Sequence, residues 1–330
     1  MTEDFGVLGA SKTGSAMAKI FIDGAAGTTG LEIRERLATR PELELLTLSD
    51  AQRKDAGARK AMLNAADLVI LCLPDEAACE AVALIDNPRV RVIDASTAHR
   101  VAEGWTYGFA ELEPGNYERI AGSKRVSNGG CWATGFLAIT RPLVRAGIVP
   151  ADFPITLHGV SGYSGGGKSM IAEFEASDSP HYIETVQRGY ALGLAHKHIP
   201  EMMRHAGLTR PPLFSPSVAR FYRGMLVEVP LQLWALKDKP KPADIQAVLC
   251  EAYRDRPLVE VASIEAAASL PTLDAEIMAG TNRMKLFVFA NEKAAQVRLV
   301  AALDNLGKGA GGMAVQNLNL MLGLPETSGL

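Results

Sequence analysis

Short apolar runs alternate with amphipathic stretches through the first part of the chain. Lys19 to Asp23 reads as an apolar strand, after which Leu31, Ile33, Arg34 and Leu37 follow at helical spacing. Leu43 to Leu48 predicts a second strand. Ala66 to Leu73 is almost continuously apolar, the pattern of a strand covered on both faces of a parallel sheet, and Arg91 to Ala95 predicts a further one. Strand and helix therefore alternate as in an α/β dinucleotide-binding unit. Farther along, Phe136 to Val144 has a helical pattern, Ile155 to Val160 is an apolar strand, and Met170 to Phe174 could open another helix.

A chain of 330 residues exceeds what one core usually serves, so two domains of roughly 100–200 residues are expected. The longest apolar run, Ala65 to Pro74, carries Asp67 and falls far short of the ~18–20 residues that span a bilayer. No membrane partner is expected. A formal net charge of −3 offers no electrostatic reason for a nucleic-acid partner either, which leaves small molecules. Cys72, Cys79, Cys131 and Cys250 have neither metal-ligand spacing nor the density of a disulfide framework, so a reducing, cytoplasmic setting and no metal centre are predicted. Residues 1–16 include Glu3 and Asp4 and no apolar segment, which excludes a secretory signal; Met17 opens a natural first strand, so this stretch is expected to be an extension.

Between the first strand and helix stands Gly24-Ala-Ala-Gly27-Thr28-Thr29-Gly30. Glycines allow a tight turn close to a pyrophosphate, while free amides and the positive end of the helix dipole attract the anion. The spacing is GxxGxxG, which an ordinary strand-to-helix turn can also show; the flanking alternation of strand and helix favours the nucleotide reading. After the second strand, Ser49 with Arg53 and Lys54 suits the 2′-phosphate of NADP, whereas Asp50 is the residue type that grips the ribose hydroxyl of NAD. The sequence reading favours NADP. Ser96-Thr-Ala-His-Arg100 follows the fourth strand at the carboxyl end of the sheet, where ligands sit, and Arg100 is a candidate phosphate contact.

Ser127-Asn128-Gly129-Gly130-Cys131-Trp132 places a cysteine between glycines and a helical run. A helix start lowers a thiol pKa by favouring thiolate, the nucleophilic form, so Cys131 is the candidate nucleophile. A thiol nucleophile needs a proton-transfer partner, and His196-Lys-His198-Ile-Pro-Glu201 stands out among the six histidines. Two alternate histidines could also ligate zinc, but no third ligand lies nearby in sequence. Gly162-Tyr-Ser-Gly-Gly-Gly-Lys168-Ser169 matches the phosphate-binding loop of ATPases literally. A downstream strand ending in the aspartate such a loop requires for magnesium is not apparent.

With these residues collected, the chain resembles the shorter-type N-acetyl-γ-glutamyl-phosphate reductases from about Lys19 to Gly323. The resemblance is carried by the glycine turn, Asp94 to Arg100, Tyr107 to Leu112, the GC pair at Cys131, Gly159 to Lys168, His196 to Glu201, and Asp304 to Ala310 followed by Gln316-Asn-Leu-Asn319. Family members carry NPGCY around the thiol and usually a proline at position 110, where this chain has Gly129, Trp132 and Ala110. The resemblance implies an NADP-binding Rossmann-like domain over 17–132 and an α+β catalytic and dimerisation domain of the glyceraldehyde-phosphate-dehydrogenase-like kind over 133–303. Residues 304–330 would form a helix returning to the first domain. It further implies reduction of an acyl phosphate through a Cys131 thioester, with His196, or else His198, as acid and base and His196 favoured. Backbone amides of Asn128 to Cys131 would stabilise the oxyanion. Arg100, Asn128, Ser161, Gly162 and Lys168 are the implied substrate contacts; Gln316 and Asn317 would lie near the cofactor. A homodimer or homotetramer is implied. The nearest alternative is an aspartate-semialdehyde dehydrogenase-like reductase, ahead of a phosphotransferase or a non-catalytic dinucleotide sensor.

Overall fold

The computed structural model describes residues 17–49, 51–52 and 55–330, so the expected extension at 1–16 and the candidate cofactor residue Arg53 lie outside the described residues. Strand β1 (Ala18–Asp23) ends at Gly24, which has a φ of +88° and lies so near the Cys72 carbonyl that an added methyl group would sit 2.2 Å from its oxygen. Only glycine meets both conditions. The chain then enters α1 (Thr28–Leu37). Strands β2 (Leu43–Leu46), β3 (Leu68–Leu71), β4 (Arg91–Asp94), β5 (Thr106–Tyr107) and β6 (Arg125–Ser127) complete a six-stranded sheet ordered β2-β1-β3-β4-β6-β5, parallel at every pairing.

Several strands are shorter than their apolar runs. Strand β2 pairs with β1 only as far as Phe21 opposite Leu46, because β1 turns away at Gly24, and Thr47 and Leu48 fall beyond the ladder. Helices α2 (Ala56–Ala65), α3 (Asp75–Ala83) and α4 (Asn116–Gly122) cover the sheet. Ile20, Ile33, Leu37 and Ile70 bury one face, and Leu63, Val69, Leu71 and Ala78 the other. Burial on both faces accounts for the near-continuous apolar strands.

Helix α5 (Cys131–Arg145) leads into a second, seven-stranded mixed sheet. Its strands are β7 (Thr156–Gly162), β8 (Gln187–Gly189), β9 (Leu213–Ala219), β10 (Met225–Gln232), β11 (Val259–Val261), β12 (Met284–Asn291) and β13 (Gln296–Leu303), ordered β11-β12-β13-β10-β7-β9-β8. The interspersed helices are α6 (Gly167–Glu175), α7 (Ile199–Ala206), α8 (Pro242–Ala252) and α9 (Ile264–Ala268). Phe136 and Leu137 of α5, Met202 of α7 and Leu249 of α8 pack against Leu157, Val227 and Leu299 of the sheet. No helix among the described residues is long and apolar enough to cross a membrane.

The last helix, α10 (Gly312–Leu322), returns to the first sheet, where Ala314, Val315, Leu318 and Met321 join its core. A π-type turn, Gly307–Gly311, precedes it. Within that turn the fully buried Lys308 ammonium donates to both carboxylate oxygens of Glu111 at 2.7 and 2.8 Å and to the Gln316 side-chain oxygen at 2.6 Å. A buried charge stays charged only when paired and hydrogen-bonded, so this cluster ties the turn, α10 and the first sheet into one arrangement.

Candidate active site

A cleft of about 600 Å³ opens between the two sheets. The start of α1 (Gly27, Thr28, Thr29 and Gly30) forms one wall, Asn128 to Trp132 form the floor, and Ser161 to Lys168 with His196 and His198 form the opposite wall. The P-loop-like segment thus faces the dinucleotide-type turn across a single cavity and belongs to the same site.

Cys131 is the first residue of α5, held by Gly130 in extended conformation. An added methyl on Gly130 would come within 2.5 Å of both Arg100 Nη1 and His198 Nε2, so the missing side chain is what lets these two groups close over the nucleophile. Their orientation is set by Glu201, whose side chain is 1% exposed. One Glu201 oxygen accepts from Arg100 Nη1 at 2.7 Å; the other accepts from the Tyr107 hydroxyl at 2.9 Å and from the Gly130 amide at 3.2 Å. Arg100 also donates through Nε to the Asn128 carbonyl at 3.0 Å and through Nη2 to the Ala95 carbonyl at 3.3 Å. Much of its donor capacity is therefore spent on holding the cleft floor.

Burial pushes the Cys131 thiol up to about 11; the Trp132 amide and the Arg100 guanidinium pull the other way but are outweighed. This corrects the expectation of a thiolate favoured by the helix start. The helix-end effect falls within a single turn, whereas loss of hydration acts on the whole sulfur. Both histidines move in the complementary direction. Burial, then the nearby Lys197 and Arg100 charges, lower His196 to about 4, and His198, fully enclosed beside Arg100, lies well below the usual imidazole value. Thiol and imidazoles are accordingly neutral near pH 7. The His198 amide donates to His196 Nδ1 at 3.1 Å, which leaves the hydrogen of neutral His196 on Nε2. His198 Nδ1 is buried without a partner, and its Nε2 lies 3.8 Å from Glu201 Oε1.

The remaining sequence-predicted residues divide. Asn128, Ser161, Gly162 and Lys168 line the cleft. Asn128 donates to the Ala310 carbonyl at 2.9 Å and accepts from Asn317 Nδ2 at 3.0 Å, so Asn317 stands one hydrogen bond behind the surface. Gln316 does not reach it, because its amide is committed to the buried cluster with Glu111 and Lys308 and to Glu326. Ser96 turns its hydroxyl to Asp94 at 2.7 Å and leaves the cleft to its neighbour Ala95. Ser49 is exposed and bonds Gln52.

The wall at α1 has the chemistry of a dinucleotide cradle. The first intrahelical bond runs from Leu31 to Gly27, so the amides of Thr28, Thr29 and Gly30 precede it, and the Thr28 hydroxyl is buried without a partner. Beyond Leu73, which borders both spaces, a second cavity of about 230 Å³ lies along Gly24 to Ala26 and Leu45 to Leu48. Gly24 belongs to this second space. Arg34 of α1 lines it, as does Asp23, which is paired to Arg59 at 2.6 Å. The sequence reading assigned no role to Arg34, Tyr107, Tyr190, Lys197 or Glu201. Only Glu201 had a usable signal, a carboxylate three residues after His198 in the first turn of a helix.

Two family models match the chain: "Semialdehyde dehydrogenase, NAD binding domain" over residues 19–120 and "Semialdehyde dehydrogenase, dimerisation domain" over 131–305. The N-acetyl-gamma-glutamyl-phosphate reductase of Brucella ovis is 53% identical over 306 residues, 92% of this chain and 99% of its own. That of Trichormus variabilis is 51% identical over 324 residues, covering 94% and 99% respectively. Among solved structures, aspartate semialdehyde dehydrogenase II of Vibrio cholerae superposes with a TM-score of 0.69 at 15% identity, over 93% of this chain and 99% of its own. At that identity the likeness is one of fold.

Proposed function

This chain belongs to the N-acetyl-γ-glutamyl-phosphate reductases, and from its cleft we propose that it reduces N-acetyl-γ-glutamyl phosphate to the semialdehyde, with release of phosphate, through a thioester on Cys131. The observation that carries this reading is the sharing of one cleft by a cysteine at a helix start, two neutral histidines and an unsatisfied helix N-terminus. The sulfur forms a bond to the acyl carbon as the carbon–oxygen bond to phosphate breaks. Its proton passes to His198, whose ring closes over the nucleophile at Gly130, while His196 offers its Nε2 hydrogen to the acyl oxygen. Lys168 and Lys197, both lining the cleft, balance the charge of the departing phosphate. Thr28, Thr29 and Gly30 would hold a reduced dinucleotide, which would supply the hydride that brings the thioester carbon to the aldehyde level. Breaking of the carbon–sulfur bond with return of the proton then restores the thiol, so one difficult step becomes two easier ones.

The dinucleotide we propose is NADP. Support comes from Thr47 just past β2, where an NAD enzyme carries an acid, and from Arg34, which lines the same second cavity. The working form is a homo-oligomer, in keeping with the description of the matched second domain.

The test runs the reaction backwards. With NADP and phosphate the protein is expected to oxidise N-acetylglutamate semialdehyde much faster than aspartate semialdehyde, and Cys131→Ser to abolish turnover while dinucleotide binding persists. Near wild-type activity in Cys131→Ser would refute the covalent route. A preference for aspartate semialdehyde would refute the substrate assignment and leave the route standing.

A further inference from the structure

The acyl oxygen gains negative charge when a sulfur attacks its carbon, and two backbone donors of the cleft floor are already taken. The Asn128 amide is given to the Asp94 carbonyl at 2.7 Å and the Gly130 amide to Glu201 at 3.2 Å. The first intrahelical bond of α5 runs from Thr134 to Gly130, so the amides of Cys131 and Trp132 precede it, close to the sulfur. An oxyanion site built from the Asn128 to Cys131 backbone thus lacks two of its amides, which leaves room for a side-chain donor to complete it.

Trp132 is 2% exposed, packed edge-on to Phe214 at 5.2 Å, and its Nε1–H donates to the Tyr190 hydroxyl at 2.7 Å. An indole can only donate, so the phenol oxygen must accept and its own hydrogen is left over. No acceptor among the described residues takes that hydrogen. Tyr190 borders the cleft with Cys131, and its ring centroid lies 5.8 Å from that of His196, which also donates from this wall. Burial raises Tyr190 well above the usual phenol range, with a negative charge at Cys131 the next cause, so it keeps its proton at every working pH. A hydroxyl that accepts one hydrogen bond is also polarised into a stronger donor of the next.

We infer that Tyr190 is a further catalytic residue, donating its hydroxyl hydrogen to the acyl oxygen during attack by Cys131, and that Trp132 is the positioning residue that aims it. The inference rests on the reductase reading of this cleft.

Tyr190→Phe keeps the ring against His196 and removes only the donor, and should lower kcat about 100-fold, the usual effect of deleting one oxyanion contact. Trp132→Phe keeps an aromatic ring against Phe214 and should lower kcat about tenfold, with the KM for dinucleotide and the rate of Cys131 alkylation unchanged. The double variant should be no slower than Tyr190→Phe alone, because Trp132 acts only through the hydroxyl. A Tyr190→Phe enzyme within about threefold of wild type overturns the inference; so does a full additional loss in the double variant, or a Trp132→Phe effect confined to melting temperature. If Trp132→Phe does not fold, Tyr190→Phe alone decides whether the hydroxyl is used. A wild-type protein that does not turn over the semialdehyde defeats the reductase reading, whereas an active wild type matched by Tyr190→Phe defeats this one alone.

Discussion

Alkylation of Cys131 by iodoacetamide measures the balance between burial and the helix start directly. The thiol lies at about 11 against an ordinary 9.0, a difference that corresponds to about 100-fold less thiolate at neutral pH. Burial disfavours the charged form, so raising the pH populates it. At pH 7 only about one molecule in ten thousand carries the thiolate, and the rate should climb about tenfold per pH unit from about pH 6 to 9 without a plateau. Peptide mass spectrometry separates this signal from the exposed Cys79 and Cys250. A plateau beginning below about pH 8 would show that the thiolate preforms and would refute the argument. The histidines supply a second leg. Their working form is neutral, present above the folded pKa and lost as pH falls through it, so the acid limb of kcat/KM should lie near the His196 value of about 4. A limb near the ordinary imidazole value of 6.5 would contradict the burial of both rings.

Glu201→Gln leaves Arg100 buried without a carboxylate, and because glutamine retains one acceptor oxygen the loss should fall at the low end for a broken buried pair, about 3 kcal/mol. Denaturant unfolding reads it; a change under about 1 kcal/mol would mean that Glu201 is not the organiser of the cleft floor. Arg34→Gln should raise the KM for NADPH about tenfold and leave that for NADH alone, since only the former carries the 2′-phosphate. Equal effects on the two dinucleotides would remove Arg34 from cofactor discrimination.

What could be read in advance follows from the range over which each signal acts. The parallel sheet was legible because strands buried on both faces must be apolar throughout, and Cys131 because a thiol set among glycines at a helix start is locally unusual. Glu201 acquires its role from partners 101 and 94 positions away, Arg100 and Tyr107, which no local pattern records. Gln316 reads identically whether it faces a ligand or Glu111. Arg34 occupies a helix position that resembles any solvated face until the second cavity shows what it borders. The thiol was misjudged for the same reason: the helix start is local, and the desolvation that overrides it comes from the whole fold.

The return of α10 to the first sheet has a consequence for how the protein is made. Ala314, Val315, Leu318 and Met321 are synthesised long after Ile20, yet they finish the core to which it belongs. At about 5–20 residues per second, the six strands wait roughly 10–40 s between the emergence of Ser127 and that of Leu322 with one apolar face uncovered. This domain therefore closes only after the second has been synthesised, and a premature stop between Ser127 and Gly312 exposes the same face.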